Sequence, residues 1–173
     1  MILLLNTKRT FFLTSLFLCG TFFVATGFFR VKDQTPADVF LIPPAAEAAL
    51  RQKAVYRKIL DVADNPAARE RAQIDYLIEV MRKSPYTFIR NGVEHSGARG
   101  AAHVMWKYHR KLSKVHSVQS FIDEIATRSS LSGELYLVKL EEGKTYPLRE
   151  LLANEWRRLE SSLKEDQSST DNP

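Results

Sequence analysis

Phe11 to Phe29 is a run of nineteen residues without one charged side chain, and Lys8 and Arg9 stand just before it. Such a run has no polar face to turn toward water, so it is not an amphipathic helix packed on a soluble core. As a helix it is long enough to cross, or nearly cross, a hydrocarbon layer of about 30 Å. Its basic flank marks the side that stays in the cytoplasm. Everything from about Arg30 onward is therefore expected to be exported. The globular fold must come from roughly 140 residues, enough for one domain with a real core and small for two.

Two forms of residues 1–29 stay open. Ala25 and Gly27 form a small-x-small pair that fits a signal cleaved after Gly27, whereas Phe28 and Phe29 carry the apolar run on to anchor length. Cys19, the only cysteine, follows the bulky Leu18, and it lies inside this leader, so the exported part has no disulfide to make. The chain has 25 Lys and Arg against 20 Asp and Glu; without Lys8 and Arg9 the balance is 23 to 20. That excess is too mild to draw nucleic acid, and export removes such a partner further.

Residues 30–66 read as a spacer carrying one helix. Pro43-Pro44 cannot lie inside a helix, and Ala45 to Ala63 then sets Val55, Ile59 and Val62 at helical spacing. Asn65 is placed to cap a second helix with Pro66 at its first position, and Ile74, Leu77, Ile78 and Met81 give it a core-facing stripe up to Ser84-Pro85. Thr87–Arg90 and Val93–His95 flank Asn91-Gly92, whose residues tolerate the positive φ of a type I′ turn. Ser96 can cap a helix to about Ser113, and Ser117 another bearing Val118, Phe121, Ile122 and Ile125. Leu135–Leu140 reads as a strand, Glu142-Gly143 turns it into Lys144–Tyr146, and Pro147 opens a last helix through Leu159. Residues 161–173 read as a disordered polar tail.

Laying Gly92 on Gly143 gives both halves one plan: strand, turn, short strand, capping residue, amphipathic helix. The expected fold of residues 67–160 is therefore α+β, a small antiparallel sheet from two β-hairpins packed against several helices, preceded in the chain by the hydrophobic N-terminal helix.

With Thr87-Phe88-Ile89-Arg90-Asn91-Gly92, then Glu94, His103 and Lys107, then Ser129-Ser130-Leu131-Ser132-Gly133 and Tyr136, the chain resembles an uncharacterised family of small exported bacterial proteins, a YfeK-like domain of unknown function. The resemblance covers about Arg69 to Leu159 and leaves out residues 30–65. It implies a bacterial source and a place in the cell envelope; with the N-terminal run, the expected place is the periplasmic side, free or held to the inner membrane by residues 11–29. It brings no reaction, ligand or catalytic residue, and His95 stands where the family pattern has Tyr.

Four histidines, His95, His103, His109 and His116, lack the spacing of a metal site, and nothing in the chain points to a cofactor. Arg90, Glu94, His103, Lys107, Arg128, Ser129, Ser130 and Ser132 form a polar set suited to an anionic or glycan-like envelope ligand, with arginine supplying forked hydrogen bonds. The expected function is a non-enzymatic module that binds an envelope ligand or protein. The alternative is a hydrolase joining His103 to a serine of the 129–132 loop, with Glu94 orienting the base, although no G-x-S-x-G elbow is present. A third reading is an assembly protein docking through the helices before Pro85. Arg99, Lys107, Arg110, Lys111 and Lys114 run without an acid from Ala98 to Ser117, which suits a solvated face or anionic headgroups.

Overall fold

A computed structural model of the chain describes residues 38–170, all within one compact unit. Residues 1–37, which include the expected leader, and residues 171–173 lie outside the described residues. Among the described residues, six α-helices and four strands run in the order α1 (Pro44–Arg51), α2 (Ala54–Asp61), α3 (Pro66–Lys83), β1 (Thr87–Arg90), β2 (Val93–Ser96), α4 (Gly97–His109), α5 (Val118–Ser120), β3 (Leu137–Lys139), β4 (Thr145–Pro147) and α6 (Leu148–Thr170). The fold is α+β, as expected. No helix among the described residues is long and apolar enough to cross a membrane.

The sheet order is β2-β1-β3-β4, antiparallel throughout. Asn91 and Gly92 take φ of 51° and 72°, and this two-residue turn fixes the β1–β2 register with Phe88 opposite His95 and Arg90 opposite Val93. Phe88 also pairs with Val138 at the centre of the β1–β3 ladder, so the two hairpins sit back to back. Each hairpin feeds a helix, α4 or α6, as the matching halves of the sequence suggested.

Helix α3 is the hub. Asn65 accepts from the backbone N–H of Ala68, Pro66 opens the helix, and the expected stripe is buried together with Gln73, Tyr76 and Val80. Such wide burial lets α3 carry α2 on one side and α4 on another. Ser96 caps α4 and Ser117 caps α5 through a reciprocal box with Ser120. Helix α4 ends at His109 rather than near Ser113, and the helix after Ser117 passes after one turn into a π turn, Phe121–Ile125.

Three further expectations need correction. The single helix over 45–63 is broken into α1 and α2 at Gln52-Lys53. In one straight helix Leu50 and Ile59 would lie on opposite sides, and the break lets both be buried. Residues 39–42 are no solvated spacer, because Val39, Leu41 and Ile42 are core residues. Their backbone is satisfied by α6: Leu41 N–H and Ile42 N–H donate to Glu155 Oε1 (2.7 and 3.1 Å), and Asn154 Nδ2 donates to the Val39 carbonyl (2.7 Å). Finally, residues 161–170 continue α6 instead of fraying. Ser162 and Leu163 are buried, and Asp166 accepts from Arg51 and from the Tyr56 hydroxyl, both at 2.6 Å.

Candidate functional site

Strand alternation turns Phe88 and Arg90 of β1 and His95 of β2 toward the helices. The β1–β3 register carries Tyr136, just before β3, to the same face. From α4, Arg99 and His103 project from one side of the helix, four residues apart. Together they border a cleft of about 260 Å³ whose apolar wall includes Met81, Phe88, Val104 and Leu148. Gly100 lets α4 approach, since a Cβ there would come within 3.0 Å of the Phe88 ring.

Two hydrogen bonds organise the cleft. Arg90 Nη1 lies 2.7 Å from His103 Nδ1, and His103 Nε2 lies 3.2 Å from the Tyr136 hydroxyl. Burial, followed by the charges of Arg90 and Lys107, pushes the His103 pKa below its ordinary value, which favours the neutral ring. Burial raises the Tyr136 hydroxyl, against the opposing effect of Arg90. The exposed Trp106 ring stacks on His103 (centroids 5.9 Å, 27°), and the Arg110 guanidinium lies 4.9 Å over Trp106.

Lys107 is a structural residue beside this site. It is 5% exposed, donates to the Ile125 carbonyl (2.8 Å) and the Arg128 carbonyl (2.7 Å), and holds the end of the π turn against α4. Burial pulls its ammonium from 10.5 to about 8, with Lys111 adding to the shift. Between about pH 8 and pH 10.5 the unfolded chain keeps a proton that the folded chain has released, so stability rises with pH across that window. Urea midpoints are expected to be higher at about pH 9 than at about pH 7.5, with the difference abolished in Lys107→Met. An equal difference in the variant would assign the effect to another group.

Of the expected polar set, the fold joins Arg90 and His103 and leaves the others elsewhere. Glu94 lies on the opposite face of the sheet, paired with Lys139. Ser129 is buried and accepts from the N–H groups of Leu131 and Ser132, closing its own loop. Ser132 donates to Asn91 Oδ1 (2.8 Å), whereas Ser130 and Arg128 are exposed and do not line the cleft. Because Arg90 and Tyr136 occupy both nitrogens of His103, no Ser–His pair is formed and Glu94 does not orient the ring. Sequence reasoning missed Tyr136, His95 and Arg99 as site residues. A second groove of about 760 Å³, between α1, α2 and α3, is larger, but its cations Lys53, Arg82 and Lys83 share the wall with the carboxylates Asp75 and Glu79, and Glu79 pairs with both Arg82 and Lys83.

A small α+β domain with a basic, carboxylate-free cleft is what the fold defines. The model described as "Family of unknown function (DUF5329)" matches residues 68–160, and the chain belongs to that family. The match takes in the whole sheet, α3, α4 and the cleft, and leaves α1 and α2 outside. The "Uncharacterized protein YfeK" of Salmonella typhimurium is 31% identical over 73 residues, 42% of this chain and 61% of that relative, so the chain spans less than two thirds of its length. No solved structure matches the chain.

Proposed function

We propose that this is an exported protein of the bacterial envelope that binds a small anionic ligand in the cleft beneath α4 and performs no chemistry on it. One observation carries the binding reading. The cleft wall holds two guanidinium groups and two imidazoles, Arg90, Arg99, His95 and His103, and no carboxylate. Neither arginine has an ion-pair partner among the described residues. The two guanidinium charges on one concave, partly dry surface favour an anion more strongly than the same cations in bulk water, and the imidazoles add hydrogen-bonding groups without a competing negative charge. The export half rests on Lys8-Arg9 and the uncharged run behind it; a reporter fusion active only outside the cytoplasm checks it.

The test of binding is calorimetric titration of the full chain with benzoate and with phenyl phosphate. The expected result is saturable binding that Arg90→Ala weakens at least about tenfold, the worth of a charge-assisted hydrogen bond, with the melting temperature little changed. Equal binding by wild type and variant, or none by wild type, contradicts the reading.

A further inference from the structure

The bond from Arg90 to His103 has a direction that chemistry fixes. A guanidinium has donors only, so His103 Nδ1 must be the acceptor at 2.7 Å. A neutral imidazole with a bare Nδ1 has its proton on Nε2, and that N–H donates to the Tyr136 oxygen at 3.2 Å. The hydroxyl proton of Tyr136 is then turned away from His103. Tyr136 is 5% exposed, and its hydroxyl meets no protein acceptor among the described residues. His95 Nε2, bordering the same cleft, is likewise shut off from solvent without a partner. A buried hydroxyl donor left without an acceptor beside a cleft is costly unless something in the cleft accepts from it.

Resting on the anion-binding reading above, we infer that Tyr136 is the donor that recognises the ligand's anionic head, aimed by the Arg90–His103 pair, and that the ligand is a compact anion with an apolar body. The head, a carboxylate or a phosphate, meets Arg90 and the Tyr136 O–H. The body lies against Phe88, Val104 and Leu148. At about 30 Å³ per water-sized group, a cleft of about 260 Å³ takes roughly nine non-hydrogen atoms, the size of benzoate. His103 acts here as a positioning residue, because its own nitrogens are both engaged.

The experiment uses the full chain with benzoate, phenyl phosphate, benzyl alcohol, acetate and inorganic phosphate. Expected are binding of benzoate, phenyl phosphate or both, at least about tenfold weaker binding of the neutral alcohol and of the two bare anions, and a fivefold to tenfold loss in Tyr136→Phe, the worth of one hydrogen bond. ¹⁵N spectra of His103 are expected to show a bare Nδ1 and a protonated Nε2. If Arg90→Ala loses binding but Tyr136→Phe keeps it, or acetate binds as well as benzoate, the inference fails while the cleft stays an anion site. A protonated His103 Nδ1 also overturns it. If no anion binds, or Arg90→Ala binds all of them unchanged, the anion-binding reading fails, and this inference with it.

Discussion

Glu155→Ala is expected to lower unfolding stability by about 3–5 kcal/mol, the range for removing one partner from a buried charged network. Glu155 is 1% exposed on α6. Its Oε1 takes both N–H groups of Leu41 and Ile42, its Oε2 takes Arg158, and Arg158 Nη1 also donates to the Ile42 carbonyl (3.2 Å). The Arg158 guanidinium further lies 4.5 Å over the Phe40 ring. Truncation strands two buried donors and one poorly solvated guanidinium at once. Burial pushes the Glu155 carboxyl up to about 7, while Arg158 and the two N–H groups pull the other way. Either protonation state leaves Oε1 an acceptor, so Glu155→Gln should cost clearly less than alanine. Guanidinium unfolding of both variants decides it. Equal losses would mean that the charge, rather than the acceptor geometry, holds residues 39–42 in place.

Gly97→Ala should be nearly as damaging, at about 2–3 kcal/mol, within the usual range for overpacking a core. Gly97 opens α4 where that helix crosses the end of α3. A Cβ there would sit 2.5 Å from the Met81 carbonyl oxygen and 2.8 Å from that of Ser84. Both obstacles are backbone, so no side chain can swing aside and the helices must part. Alanine's better helix propensity, worth about 1 kcal/mol, offsets only part of this. Gly100→Ala is the control, because its obstacle is the Phe88 ring at 3.0 Å, which has somewhat more room to adjust. A Gly97→Ala melting temperature equal to wild type would refute the close α3–α4 contact.

How legible the molecule was depended on the range of each interaction. Local chemistry read well: Asn65-Pro66, Asn91-Gly92, Ser96 and Ser117 act as caps and turn as their types dictate. The site was half legible. A two-residue turn at Asn91-Gly92 already sets Phe88 opposite His95 and Arg90 opposite Val93. That register puts His95 on the inner face and Glu94 on the outer one, so the sequence held grounds for exchanging them. Tyr136 stood among the residues that carry the family resemblance, but its place beside His103 depends on β1 pairing with β3, a contact no local pattern encodes. The same holds for Glu155, whose partners lie 113 and 114 residues away. Val39, Leu41 and Ile42 looked like a spacer because the polar groups that satisfy their backbone come from α6.

The central claim is that the cleft bordered by Arg90, His103 and Tyr136 is where this protein meets its ligand. Titration of benzoate into the ¹⁵N-labelled full chain, followed by amide and side-chain shifts, tests it most directly. The predicted result is saturable change confined to the Arg90 guanidinium, the rings of His95 and His103, and the amides around Gly100 and Tyr136. Shifts gathered instead around Leu50, Ile78 and Met105, in the groove beside α3, with the cleft silent, would contradict it.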